Sequence, residues 1–180
     1  MIRTRVGYSG GTLDNPTYYQ LGDHTETLQI DYDPERTSYE KLLELFWSEH
    51  DPTSRAWSTQ YKAVVFYHDN EQKRLAEESR ERLAARLKRR VFTEVIPFRR
   101  FYPAEAYHQK YYLRQDRGLL QELQRYYSID AELMNSTAAA RVNGYLGRFG
   151  TAEGLKAEID RLGLSEDGRR KLLDILEGGS

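Results

Sequence analysis

Three side chains of this sequence have types suited to proton donation and hydrogen bonding: Tyr18, Glu26 and Tyr61. Glu26 shares one face of an alternating segment with Leu28, Ile30 and Tyr32, opposite Thr25, Thr27, Gln29 and Asp31. That alternation is the period of a half-buried strand, whose apolar face turns inward. A carboxylate on such a face is costly unless it is neutralised or hydrogen-bonded. Desolvation favours the protonated form of a carboxyl, and a protonated carboxyl is a ready general acid. The plainer reading is that Glu26 sits at the frayed start of the strand, where inside and outside are poorly defined. Tyr18 ends the turn Asn15-Pro16-Thr17-Tyr18, and Tyr61 ends Thr59-Gln60-Tyr61 at the mouth of a strong strand. Each offers a hydroxyl to a pocket containing Glu26, and neither signal is specific alone.

Composition bounds the chemistry. Cysteine is absent from all 180 residues, which excludes disulfides, thiolate metal sites and thiol chemistry by the chain as written. His24, His50, His68 and His108 are scattered without metal-ligand spacing. Lys plus Arg number 27 against 28 Asp plus Glu, so no global field points to nucleic acid or an anionic membrane. Fourteen tyrosines stand out. Tyrosine couples an apolar ring to a hydrogen-bonding tip, which suits polar pockets as well as half-buried positions. No apolar run approaches the ~18 residues of a membrane span. Met1 to Val6 lack the apolar core of a secretory signal, so the expected location is cytoplasmic.

The elements that must position these residues follow in order. Residues 2–8 and 25–32 read as strands, with a Gly-rich turn at Ser9-Gly10-Gly11. Thr37 to Glu40 fits a capping box for a helix burying Leu42, Leu43, Leu45, Phe46 and Trp47. Residues 61–67 read as a strand. Asp69 then caps a long helix with Leu75, Leu83 and Leu87 on its apolar face, ending in Lys88-Arg89-Arg90. That basic run reads as a solvated helix end matched to the helix dipole. Residues 91–97 form another strand, and Pro103 opens a short helix carrying Ala106, Tyr107 and Tyr111. From residue 117 strand signals vanish and short helical patterns follow, with Ser136 an N-cap for 138–146. The division predicted is an α/β core over residues 1–115 and a helical extension over 116–180.

Together the short motifs match a family. Arg5-Val6-Gly7-Tyr8-Ser9-Gly10-Gly11, Asn15-Pro16-Thr17-Tyr18, His24-Thr25-Glu26, Asp31-Tyr32-Asp33-Pro34, Ser38-Tyr39-Glu40, Phe46-Trp47, His50-Asp51-Pro52, Thr59-Gln60-Tyr61 and Phe101-Tyr102-Pro103-Ala104-Glu105 through Tyr107-His108-Gln109 occur in the order seen in peptide methionine sulfoxide reductase A. Over about the first 115 residues the chain resembles that family. The resemblance implies a two-layer α+β, ferredoxin-like core with a mixed sheet, and reduction of methionine-(S)-sulfoxide in proteins and in free form. A cysteine thiolate attacks the sulfoxide sulfur in that family, and a thioredoxin-type or other thiol restores it, with no bound cofactor. The proton-donating carboxyl maps onto Glu26 and the oxygen-holding hydroxyls onto Tyr18 and Tyr61.

The chain departs from the pattern in three places. It has no counterpart of the family's Gly-Cys-Phe-Trp motif, which carries the nucleophile and the apolar wall. The loop before Thr59-Gln60-Tyr61 is short, and Ala56 stands where the family has a supporting Asp. No resolving cysteine is present. The expectation is that Met1 is a miscalled or artificial start, preceded in the gene by a cysteine-bearing segment. The alternative is a non-catalytic homologue that binds methionine sulfoxide or a protein surface, and a third is a structural domain acting through its helical tail. Trp57 is a stand-in for the lost aromatic wall, or else packs in the ordinary way. His24 is expected to have a surface or supporting role.

Overall fold

The computed structural model describes residues 1–178; residues 179 and 180, the end of the expected extension, lie outside them. The chain divides into two compact units, Val6–Ala104 and a second made of Met1–Arg5 with Glu105 onward.

The first unit is α+β. A three-stranded sheet has the order β2-β1-β5, from β1 (Arg3–Ser9), β2 (Thr25–Asp31) and β5 (Phe101–Pro103). β5 runs antiparallel to β1, with Gly7 opposite Pro103. A Cβ on Gly7 would run into the Tyr102 carbonyl oxygen, so only glycine permits this approach of the two strands. β3 (Val64–Tyr67) and β4 (Glu94–Pro97) form a separate parallel pair, so the strands make two small sheets. Two helices accompany that pair. α1 (Tyr39–Ser48) starts at Ser38, whose hydroxyl accepts from the Lys41 N–H, one residue later than the capping box predicts. α2 (Asn70–Leu87) starts at Asp69, which accepts from the Gln72 N–H, and ends where Lys88 turns left-handed. Leu43, Val65 and Ala76 are the buried centre of this layer. Of the expected α2 stripe, Leu83 is buried while Leu87, at the last residue of the helix, is exposed.

The strand expected over 61–67 begins only at Val64, because Thr59–Tyr61 winds into a 3-10 turn. Similarly, the short helix expected from Pro103 is displaced. Pro103 closes β5, Ala106–His108 form a 3-10 turn, and α3 begins at Tyr111.

The second unit is helical: α3 (Tyr111–Gln115), α4 (Arg117–Gln124), α5 (Asp130–Asn135), α6 (Thr137–Leu146), α7 (Ala152–Lys156) and α8 (Glu166–Glu177). Ser136 caps α6 as the sequence predicts, its hydroxyl accepting from the Ala139 N–H. Leu119 and Leu123, four apart on α4, sit with Val142 and Leu172 in one buried cluster. Full burial of such a side chain contributes about 1.5–3 kcal/mol, so this unit has an apolar core of its own.

A buried cation ties the chain's first residues to this unit. The Lys110 ammonium donates to the Thr4 carbonyl at 2.6 Å and the Met134 carbonyl at 2.8 Å. Burial, with Arg5 and Arg114 nearby, pulls Lys110 down from 10.5 to about 8. The folded unit therefore holds this proton less tightly than the unfolded chain, so stability rises as pH climbs from 8 towards 10.5. Thermal unfolding across that interval should show the rise, and Lys110→Met should flatten it relative to wild type.

Candidate functional site

The site is built on one buried hydroxyl. Thr25 opens β2 and is 5% exposed. Its Oγ1 lies 3.0 Å from both the Gln60 and the Lys62 carbonyl oxygens, sharing one proton between them. That clamp fixes the 3-10 turn Thr59–Tyr61 beside the start of β2. Gln60 then reaches Glu26, its amide donating to the carboxylate at 2.6 Å. Tyr61 packs on Trp57 with ring centroids 5.0 Å apart.

The phase expected for β2 is corrected here. Glu26 and Leu28 face outward, and Leu28 is 56% exposed, whereas Thr25 is buried. The cause is local. The Thr25 hydroxyl and the carbonyls of the 59–62 turn satisfy one another, and that exchange draws Thr25, the polar residue, inward. Glu26 is exposed rather than buried. Its position is set instead by a hydrogen bond from Gln60, for which the sequence carries no signal.

Tyr18 stands on a different element. Thr17 and Gln20 exchange both backbone hydrogen bonds, at 3.2 and 3.0 Å, which puts Tyr18 and Tyr19 at the tip of a tight turn. Their rings meet edge to face at 5.5 Å. The base of this loop is held by the residues immediately before Thr25. His24 is 1% exposed, which excludes the surface position and leaves the supporting role. Its Nε2 lies 2.8 Å from the Leu13 carbonyl, which can only accept, so Nε2 carries the proton and Nδ1 accepts from the Gly11 N–H at 3.1 Å. A Cβ on Gly11 would lie 2.6 Å from the His24 backbone nitrogen, so this wrap needs glycine. Asp23 accepts from the Thr12 N–H at 2.7 Å and from its hydroxyl, and the first of these leads in holding the Asp23 carboxyl below its ordinary range. Thus His24 holds the base of the loop that carries Tyr18, and Thr25 holds the turn that carries Tyr61 beside Glu26.

Trp57 is 83% exposed, so it is not buried in a core as ordinary packing would have it. The other motifs are scaffold. Trp47 donates to the Ser79 hydroxyl at 3.0 Å, and the His50 Nδ1–H donates to the Phe46 carbonyl at 2.8 Å. Asp51 accepts from the Ser54 hydroxyl and from the Thr53 hydroxyl and N–H. These bonds, Ser54 first, pull its carboxyl down to about 2. Among the described residues no group of three His, Cys, Asp or Glu could hold a metal ion, and no helix is long and apolar enough to cross a membrane.

Comparison with known proteins fixes the family. The model of the family described as peptide methionine sulfoxide reductase matches residues 1–140. The chain belongs to the peptide methionine sulfoxide reductase family. A second model, the helical domain of selenoprotein methionine sulfoxide reductase A, matches residues 129–177, within the helical unit. A peptide methionine sulfoxide reductase of Drosophila melanogaster is 42% identical over 177 residues, covering 94% of this chain and 69% of that protein. Peptide methionine sulfoxide reductase A5 of Oryza sativa subsp. japonica is 37% identical over 171 residues, covering 90% of this chain and 66% of that protein. The chain thus spans about two thirds of these relatives' length. Among solved structures, reduced Mxr1 of Saccharomyces cerevisiae is similar with a TM-score of 0.58 and 26% identity, over 63% of this chain and 70% of that one.

Two outcomes test the site's construction. Thr25→Val should cost about 1–3 kcal/mol in urea unfolding, because it takes a buried donor from two carbonyls. The variant should also loosen the Thr59–Tyr61 turn, read as faster amide exchange at Tyr61 and Lys62. A second outcome follows from Asp51. Its depressed carboxyl contributes stability that is present above 3.8 and lost as pH falls towards 2. Asp51→Asn should remove that part of the acid sensitivity.

Proposed function

We propose that this chain carries the sulfoxide-recognising face of a reductase acting on methionine-(S)-sulfoxide, in proteins and in free form. The observation that carries the reading is the Gln60-held carboxylate of Glu26 on an open strand face, one turn from the Trp57–Tyr61 pair. Family membership supports the substrate class.

A sulfoxide oxygen bears partial negative charge and accepts hydrogen bonds. The Tyr61 and Tyr18 hydroxyls are suited to donate to it, and the Glu26 carboxyl is the group placed to relay a proton as the S–O bond breaks. The exposed Trp57 ring offers apolar surface to the substrate methyl. The Gln60 amide has a positioning role, fixing the rotamer of the Glu26 carboxyl.

Reduction of a sulfoxide to a thioether takes up two electrons and two protons and releases the oxygen as water. A dithiol supplies both and leaves as its disulfide. No residue of these 180 is a thiol, so the sulfur nucleophile comes from outside them, from a thioredoxin-type or other thiol reductant. The same composition favours a second reading, in which the chain binds methionine sulfoxide without turning it over.

Calorimetric titration with a peptide containing methionine-(S)-sulfoxide tests the recognition step. It should bind more tightly than its methionine counterpart, and Glu26→Gln or Tyr61→Phe should weaken it about tenfold, or ~1.4 kcal/mol. A reduction assay with excess dithiothreitol separates the two readings. Turnover supports the first, binding without turnover supports the second, and failure to distinguish sulfoxide from thioether would sink both.

A further inference from the structure

The strongest feature that this reading leaves unused is an open cleft of about 620 Å³ on the Val6–Ala104 unit. It runs along β4 and is lined by Arg55, Lys62, Arg80 and Arg90 with one carboxylate, Glu94. Glu94 is already occupied by Lys62, at 2.6 Å. Among the described residues, Arg55, Arg80 and Arg90 have no carboxylate within ion-pair distance. Two of these cations converge. The guanidinium carbons of Arg55 and Arg90 lie 4.8 and 5.0 Å from the centroid of the Phe92 ring. Each is attracted by the ring, yet the like charges stand within about 10 Å of each other, close to the Debye length in physiological salt. Arg90, which on sequence grounds belongs to a solvated helix end, is exposed and also lines this cleft.

The cleft adjoins the candidate site through a single turn. Side chains three apart in a 3-10 turn lie one above the other. Thr59 and Lys62 face the cleft, while Gln60 meets Glu26 and Tyr61 meets Trp57. Both surfaces are built on the same short turn, so an extended peptide at ~3.3 Å per residue passes from one to the other within a few residues.

We infer that the Arg55–Arg80–Arg90 cleft receives acidic residues of the polypeptide whose methionine sulfoxide occupies the Glu26 face, making Asp or Glu a few positions from the methionine a determinant of substrate choice. The inference rests on the function proposed above for the neighbouring face. Three guanidiniums spread along an open groove match carboxylates spread along a chain better than a single compact anion. Paired recognition of this kind steers encounter as well as adding affinity, and both effects weaken with salt.

The test uses the full chain and fluorescently labelled peptides in two series. Each series carries Glu, Gln or Lys at positions flanking the central residue. That residue is methionine-(S)-sulfoxide in one series and methionine in the other. Glu-flanked peptides should bind about tenfold more tightly than Lys-flanked ones in both series. The preference should shrink as salt rises from about 50 to about 500 mM, where the Debye length falls to a few ångströms. Arg55→Gln with Arg90→Gln should abolish the preference while leaving discrimination between sulfoxide and thioether intact, and Arg80→Gln should weaken it. Circular dichroism and urea midpoints would establish that the variants are folded. A charge preference indifferent to these arginines overturns the inference. So does a single-stranded oligonucleotide that outcompetes the Glu peptide. Sulfoxide discrimination lost while charge preference survives would instead overturn the function proposed for the Glu26 face.

Discussion

The arrangement of this site depends on one shared proton. Thr25 Oγ1 sits between two carbonyls of the 59–62 turn, in a position where water has almost no access. Remove that hydroxyl and both carbonyls lose a donor where solvent is poorly placed to replace it. Keep it, and the turn has one orientation. Gln60 then meets Glu26, Tyr61 meets Trp57, and Thr59 and Lys62 line the basic cleft. The preceding residue works in the same manner on another loop. His24 engages the backbone of Gly11 and Leu13 with its two ring nitrogens, fixing the base of the loop. The paired backbone bonds of Thr17 and Gln20 close its far end, with Tyr18 at the tip. Two consecutive side chains, one imidazole and one hydroxyl, thereby hold the loop that carries Tyr18 at its base and the turn that carries Tyr61 beside Glu26.

Much of the scaffold is legible in the sequence because its signals are local. Asp69 and Ser136 cap the helices they precede, and the alternation over 25–31 marks a strand. The α+β core and the helical extension follow from the same patterns. The phase of β2 is not legible. Alternation says that one face is buried without saying which one, and the apolar residues at Leu28 and Ile30 point to the wrong side. The deciding interaction joins positions 25 and 60, and no periodicity within a strand reports a bond across that separation.

The candidate residues show the same division. The types at Tyr18, Glu26 and Tyr61 draw attention to this neighbourhood, whereas Gln60 carries no signal of its own inside Thr59-Gln60-Tyr61. His24 belongs to the loop that precedes β2, where strand alternation has no meaning and its partners Gly11 and Leu13 decide its orientation. Arg90 has a sufficient explanation in the dipole of α2, which is why its part in the cleft is visible only once Arg55 and Phe92 stand beside it.

The Lys110 clip has a consequence for how the chain comes to be folded. Thr4 and Lys110 are 106 positions apart. During synthesis the residues around Thr4 leave the ribosome long before their partners exist, at roughly 5–20 residues per second. β1, which contains Thr4, can pair with β2 before then, but its contact with the helical unit forms only after Lys110 and Met134 have emerged. A contact of such high sequence separation is slow to form, because the entropy of closing the loop is lost before the contact returns anything. The clip between Lys110 and Thr4 is therefore among the later contacts of this chain to form.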